Sequence, residues 1–501
     1  MAAGGPPGTL DRARAALRSF DFRRLFAIRV VGQTADGFFQ AAIVASVVFH
    51  EGQHSTTVGI FKAAAITALP FTLLGPFVGV FIDRWPRRAI LAITPLLKAA
   101  LVALILLDPV TGGTGAFVGF YAGALAVISI NRFYLSAASA VVPRLVPSED
   151  LLMANSLATV GGTVSLLVGF FVGGQVSGAA GNVPVVVVAG LGWLAAAWIA
   201  TRLRSDLAPM TIPEAPDLLR RQLRRVVAEF ADGVGTLVRT PRAIGPITSI
   251  SIDSMGQGII LTVAAVVFRE QFSEGVGSYS NLIGAGGVGV LVGIATVGPL
   301  EDRWSKEDIV AGAFVVGAVA LLFAAVFLRG WTILVVSFVV GLAFAWKKIP
   351  VDTTVQGSLP DGYRGRVFSV YDVVYNLARL VAAALVIPMV PALGTRGTVA
   401  AVGVLFILWA PVLPRWIGGV PVIRPVFVEG GRAEEWPRTI RWGAAEEPVT
   451  VLRSWIDERG DGRFRCFRIR LVDGSVLDIS SREPEGPWTV ERERDEPAVP
   501  G

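Results

Sequence analysis

Apolar positions along this chain gather into long runs separated by short polar breaks. About twenty apolar residues in a row cross the hydrocarbon core as a helix, so each run is a spanning candidate. The runs fall at 26–49, 58–81, 89–107, 116–141, 154–175 and 183–201, then at 244–267, 278–300, 309–328, 332–354, 367–390 and 397–414. In lipid the backbone must satisfy its own hydrogen bonds, so these segments are expected to be helices and not open strands. Between the two sets, residues 216–238 set Leu218, Leu219, Leu223, Val226, Val227 and Phe230 against several arginines. That pattern predicts an amphipathic helix lying on the membrane surface or, equally, a solvated connector helix.

After Trp416 the rhythm changes. Segments 449–456, 464–472 and 475–480 are broken by Asp461-Gly462 and Asp473-Gly474, a hairpin signal between apolar-rich runs. The expected fold class is an all-α integral membrane protein of twelve transmembrane helices in two six-helix halves, with a small β-rich C-terminal appendage. The expected layout is an N-terminal segment 1–25, a bundle 26–201, a central loop 202–243, a second bundle 244–415 and an appendage 416–501. A disordered charged tail is expected from about residue 491.

Charge placement orients the bundle. Arg12, Arg14, Arg18, Arg23 and Arg24 precede the first span, Arg84, Arg87 and Arg88 follow the second, and Arg202, Arg204, Arg220, Arg221, Arg224, Arg225, Arg239 and Arg242 fill the central loop. The connections after the first, third and fifth spans hold no Lys or Arg. By the positive-inside rule, both termini and the central loop are expected to be cytoplasmic. Residues 1–22 are polar and Arg-bearing, so no cleavable signal peptide is expected.

Composition agrees. Of 501 residues 53% are apolar and 17% charged, and the mean hydropathy is +0.61. Soluble chains carry nearer a quarter charged residues. The single cysteine, Cys466, excludes an intrachain disulfide framework and any cysteine-rich metal site. The pI near 9.7 reflects the arginine clusters at the membrane surface, and nucleic acid is not an expected partner. Nothing resembles a Walker loop, a Cys/His metal cluster or a nucleophilic triad, so neither an enzyme nor a cofactor is expected. His50 and His54 read as spacers in the first outer loop.

A repeat links the halves. The second span ends Gly79-Val-Phe-Ile-Asp83-Arg84-Trp-Pro-Arg87-Arg88, and the eighth ends Gly298-Pro-Leu-Glu-Asp302-Arg303-Trp-Ser-Lys306. Two six-helix halves in parallel orientation are one of the repeat plans of secondary transporters. Gly79 permits close helix approach. Asp83 can face the positive end of a neighbouring helix, expected to be the eleventh, beginning near Ser369.

These residues resemble the Major Facilitator Superfamily, whose signature between helices 2 and 3 is Gly-x-x-x-Asp-Arg-x-Gly-Arg-Arg; Pro86 stands where the second Gly falls. The resemblance covers about residues 20–415 and implies transport by alternating access, with the signature acting at a cytoplasmic gate. Pro143-Arg-Leu-Val-Pro147 and Pro360-Asp-Gly-Tyr-Arg364-Gly-Arg366-Val-Phe-Ser369 look like the bacterial branch of drug and siderophore exporters. The family's antiporter pattern in helix 5 is partly met by Gly169-Phe-Phe-Val-Gly173-Gly174, without its proline. These glycines also suit close helix packing.

Ionisable groups inside a membrane are costly and therefore functional candidates. Asp36 and Gln40 in the first span, and Asp253 and Gln257 in the seventh, share an i,i+4 spacing that puts acid and amide on one face. Judged by depth, Arg132 on the fourth span is the expected partner of Asp36, and Lys347 and Lys348 on the tenth that of Asp253. An acid whose exposure alternates can take up and release protons, although a static ion pair is the competing reading. Asn376 and Arg379 are candidate cavity residues, Lys62 and Lys98 are expected to snorkel, and Arg29 and Asp372 to lie near interfaces. The sequence thus predicts a monomeric, proton-coupled exporter of small amphipathic molecules. A lipid or lysolipid translocator is the runner-up, and a membrane-anchored sensor or scaffold the reading from another class.

Overall fold

The protein is described by a computed structural model covering residues 17–49, 56–74, 85–107, 114–147, 150–203, 217–239, 241–272, 274–359, 361–413, 427–429, 437, 439–442, 445–459, 462–471, 476–482 and 488–494. Two compact units divide the chain, 1–417 and 418–501.

Helices α1 (Phe20–Val48), α2 (Thr56–Leu74), α3 (Arg87–Leu107), α4 (Thr114–Val141), α5 (Leu151–Ala180) and α6 (Asn182–Thr201) form the first half of the larger unit. The connector helix α7 (Asp217–Arg239) follows. The second half holds α8 (Pro241–Val266), α9 (Val276–Glu301), α10 (Lys306–Val326), α11 (Gly330–Ser358) and the stretch Asp361–Trp409. That stretch is broken at Gly394, whose φ of 70° lies in the left-handed region that residues with a Cβ avoid, so it makes two helices, α12 (361–393) and α13 (395–409). Gly181, with φ 79°, turns the chain between α5 and α6 in the same way.

Twelve helices therefore form the membrane bundle. Among the described residues, nine segments qualify as spans by length and hydropathy alone, and one of them holds both α12 and α13, so that α1 and α2 are left. Gln33, Asp36 and Gln40 dilute α1, and the apolar stretch described in α2 is confined to Thr57–Pro70. The apolar surface left exposed on many helices, such as Leu104, Leu191, Val319 and Leu408, is what a lipid-facing helix presents.

Within the first half α1 packs against α5 and α6; within the second, α9 packs against α11 and α8 against α12. The seam between halves is made by α5 against α9 and by α2 against α12. Arg366 near the start of α12 pairs with Asp232, tying α7 to the second half. The side chains of Leu218, Leu219 and Leu223 lie outside the described residues.

The smaller unit carries two antiparallel sheets. One joins β1 (Phe427–Glu429), β2 (Thr439–Trp442) and β3 (Ala445–Pro448); the other joins β4 (Thr450–Arg459), β5 (Gly462–Arg470), β6 (Val476–Arg482) and β7 (Trp488–Arg494). The two Asp-Gly pairs fall at the β4–β5 and β5–β6 connections, where hairpins were expected. Phe467, Ile469, Leu477 and Ile479 form its core, and Arg468 grips Asp478 through two bonds of 2.7 and 3.0 Å. The tail expected to be disordered from 491 is corrected in part. Pairing of Val476 through Asp478 with Arg492 through Arg494 extends β7 to Arg494, and 495–501 lie outside the described residues.

Candidate functional site: two buried ion pairs beside an apolar cavity

Arg29, Gln33, Asp36 and Gln40 recur along α1 at helical spacing and form one polar stripe. Asp36 is 3% exposed. Its Oδ1 accepts from Lys98 Nζ on α3 at 2.7 Å and from Trp193 Nε1 on α6 at 2.9 Å. Lys98, fully buried, also donates to Asn131 Oδ1 on α4 at 3.0 Å. Its ammonium lies 5.0 Å from the Tyr134 ring centroid and 4.7 Å from that of Trp193. A buried cation needs such partners, because desolvation alone costs several kcal/mol, of order, per ion. Asp36 Oδ2 is buried with no hydrogen-bond partner.

The second half rebuilds this arrangement with two helices exchanging roles. Asp253 on α8 pairs with Lys347 on α11, and both are essentially sealed from solvent. Gln257 Nε2 donates to Asp253 Oδ2 at 2.7 Å. Lys347 faces the rings of Phe314 on α10 and Phe406 on α13, at 4.6 and 4.9 Å. In each half the acid sits on the first helix and one aromatic on the sixth. The cation comes from the third helix in the first half and from the fourth in the second, and the remaining aromatic takes the other place.

Two expectations change accordingly. Lys98 does not snorkel; it is drawn inward because Asp36 and Asn131 meet it at its own depth. Arg132, the expected partner of Asp36, reaches across the seam to Asp372 on α12 at 3.8 Å. Asp372 is 58% exposed and lies within α12, past its first turns. Arg29 is buried and donates to Gln33 at 3.2 Å. Lys348 turns from the Asp253 pair to Asp352 and the Tyr371 hydroxyl, at 2.7 and 2.8 Å. Lys62 lies 5.8 Å from the Tyr121 ring centroid.

Two cavities, of about 400 and 270 Å³, lie beside the pairs. The larger is walled by α5, α8, α9, α10, α11, α12 and α13 with mostly aliphatic side chains; Thr163, Gln257, Ser337, Tyr375 and Arg379 supply polar groups. The smaller is lined by α1, α2, α5, α8, α9 and α12 and includes Gln40. Leu167, Leu261, Ile283 and Arg379 line both. Asn376 instead donates to the Asp372 carbonyl at 2.7 Å, one turn along α12.

At the bundle end where arginines are scarce, the seam is closed by polar contacts between halves. Gln175 Nε2 lies 2.9 Å from Gly277 O, Ser280 Oγ and Asn281 Oδ1, and Arg269 donates to the Val48 carbonyl. The α5 glycines serve packing: added methyls on Gly169 and Gly173 would run into α1 at Thr34 and Phe38, and one on Gly174 into Ser280.

At the opposite end Gly79, Asp83 and Arg84 lie outside the described residues. Arg87 is buried, and Arg88 donates to the Thr201 carbonyl at 2.6 Å. In the second copy Gly298 has open space around it, Asp302 closes α9, Arg303 N bonds Leu300 O at 3.0 Å, and Lys306 donates to Thr353 at 2.9 Å. The eleventh membrane helix, α12, begins at Asp361, so Ser369 is already inside it and offers no free helix terminus for Asp83. The sequence missed Lys98, Asn131 and Trp193. Lys98 and Asn131 were visible only as polar groups in apolar runs, and Trp193 gave no signal.

Comparison with known proteins agrees with this architecture. The profile of the Major Facilitator Superfamily matches residues 25–383 and 246–459. Uncharacterized MFS-type transporters of Mycobacterium bovis and Mycobacterium tuberculosis are each 28% identical over 386 residues, which is 73% of this chain and 85% of the relative. Among solved structures, a POT family transporter in complex with 5-aminolevulinic acid aligns with TM-score 0.63 at 13% identity, over 80% of this chain and 96% of that one. A peptide transporter POT in complex with sulfate aligns with TM-score 0.63 at 12% identity, over 82% and 98%. At such identities these structures share the fold.

Proposed function

The chain belongs to the Major Facilitator Superfamily, a family of secondary transporters, and on that premise we propose that it is a proton-coupled exporter of small amphipathic molecules. The observation that carries the reading is repeated in both halves. A buried carboxylate stands one helical turn from an amide that lines a cavity: Asp36 from Gln40, and Asp253 from Gln257.

Asp36 is the proton-carrying acid. Both oxygens of Asp253 are engaged, whereas Asp36 Oδ2 has no partner, so a proton can add there without displacing a hydrogen bond. Protonation weakens the hold on Lys98, which keeps Asn131 and two aromatic faces. Rocking of one half against the other would open the Gln175 seam at one end and tighten around the Arg132–Asp372 pair at the other, with Gly174 and Gly178 of α5, which face α9, in the sliding surface. The signature around Asp83 acts at the inner gate. The arginine distribution supports a bacterial cytoplasmic membrane with both termini inside, and a monomer provides the complete pathway.

Reconstitution tests this. Purified protein in liposomes should accumulate amphipathic probes against their gradient when a pH difference is imposed, and a protonophore should abolish it. Uptake indifferent to the pH difference would overturn coupling.

A further inference from the structure

We propose that the larger cavity recognises amphipathic molecules bearing a single anionic head, held by Arg379, with the apolar body against the aliphatic walls. The inference rests on the reading of this cavity as the substrate site and adds the charge of what it takes.

Among the described residues Arg379 is the only Lys, Arg, Asp or Glu lining either cavity, and it lines both. Four other cations within the bundle have carboxylates: Lys98 has Asp36, Lys347 has Asp253, Lys348 has Asp352, and Arg132 has Asp372, while Arg29, which lines neither cavity, is held by Gln33. Among the described residues no carboxylate pairs with Arg379. Its Nη2 donates to the Tyr375 hydroxyl at 3.0 Å, and its Nε is buried without a hydrogen-bond partner. An arginine held this way presents unused donors in the planar fork that suits carboxylate, sulfonate or phosphate oxygens. An uncompensated charge in a poorly solvated site is expensive, and a ligand that brings the opposite charge removes that cost on binding.

The remainder of the site fits an apolar body. About 400 Å³ lies in the range that holds compact ligands, and Leu261, Ile283, Val336, Val340 and Phe344 wall it. Along α12, Asp372, Tyr375, Asn376 and Arg379 fall on one face, which runs from the exposed Asp372 to the cavity wall at Tyr375 and Arg379. Asp372 is held by Arg132, which leaves Arg379 to meet the incoming head.

The test uses full-length protein in nanodiscs and three probes of one shape: 2-naphthalenesulfonate, 2-naphthalenemethanol and (2-naphthylmethyl)trimethylammonium. Parental protein should bind the sulfonate at least about tenfold tighter than the alcohol and the ammonium more weakly still. Arg379→Gln should erase that preference without lowering the thermal midpoint, and Arg379→Lys should keep part of it. Ile283→Trp, which fills space shared by both cavities, should weaken all three probes. Charge-blind binding that Ile283→Trp still blocks would overturn the anion inference and leave the cavity reading standing. Binding indifferent to Ile283→Trp, or no binding, would overturn both. Competition by 1-decanesulfonate separates a single-chain, membrane-derived occupant from a compact soluble one. If Arg379→Gln fails to fold, the graded response of Arg379→Lys decides: unchanged sulfonate preference contradicts a role for the guanidinium fork.

Discussion

Lys98 Nζ and Asp36 Oδ1 stand 2.7 Å apart in the core of the first half, joining α3 to α1 where neither side chain meets solvent. Breaking one partner of such a pair strands the other, at about 3–5 kcal/mol, whereas replacing both with apolar residues is often neutral. Lys98→Met should therefore lower the thermal midpoint of the purified protein sharply, and Asp36→Leu combined with Lys98→Met should recover most of the loss. A double variant as unstable as the single would mean that the charges are not compensating each other.

The second pair should respond differently to the mildest change. Asp253 uses both oxygens, one for Lys347 and one for Gln257. Asp253→Asn should cost more stability than Asp36→Asn, by about 1–2 kcal/mol, because its amide nitrogen must face Lys347 or force the Gln257 amide to turn over, whereas Asp36 Oδ2 has no hydrogen bond to lose. Denaturation of the two variants side by side would show it; equal losses would argue against the asymmetry.

Closure of the Arg-poor end can be made covalent. A methyl added to Gly178 would lie 3.5 Å from Gly277 Cα, so the two backbones meet closely across the seam. Gly178→Cys with Gly277→Cys should crosslink on mild oxidation, stop probe transport, and regain it on reduction. Crosslinked protein that transports at the parental rate would exclude rocking about this seam.

At the gate, Asp83→Asn should reduce transport by about tenfold or more while membrane abundance stays within about twofold of the parent. The charge is what answers a helix terminus or an arginine, and the isosteric amide removes only that. Undiminished flux would reduce the signature to a topology signal.

Most of the fold is legible in the sequence because lipid imposes a coarse rule: every spanning segment must be a long apolar helix. That rule placed the spans within a few residues, and the two Asp-Gly pairs marked the hairpins of the C-terminal unit. The Asp253–Lys347 pair was legible from depth along the membrane normal. The Asp36–Lys98 pair was not, because depth says nothing about which way a helix face turns. Arg132 and Lys98 both lie within reach of the Asp36 level, and only the rotation of α3 and α4 sends one inward and the other across the seam. The start of α12 was misjudged because Pro360 and the polar stretch after it read as loop. Arg379 was visible as a charge in an apolar run, but its place on the wall of both cavities required the packing of helices from both halves.

The most direct test of proton coupling is Asp36→Asn in proteoliposomes under an imposed pH difference, with stability, probe binding and accumulation measured on one preparation. The three naphthalene probes cover all head charges, so the outcome does not depend on the anion inference. The account predicts a folded variant that binds the probes the parent binds but no longer accumulates them in response to the pH difference. Accumulation at the parental rate, with the parental pH dependence, would contradict it.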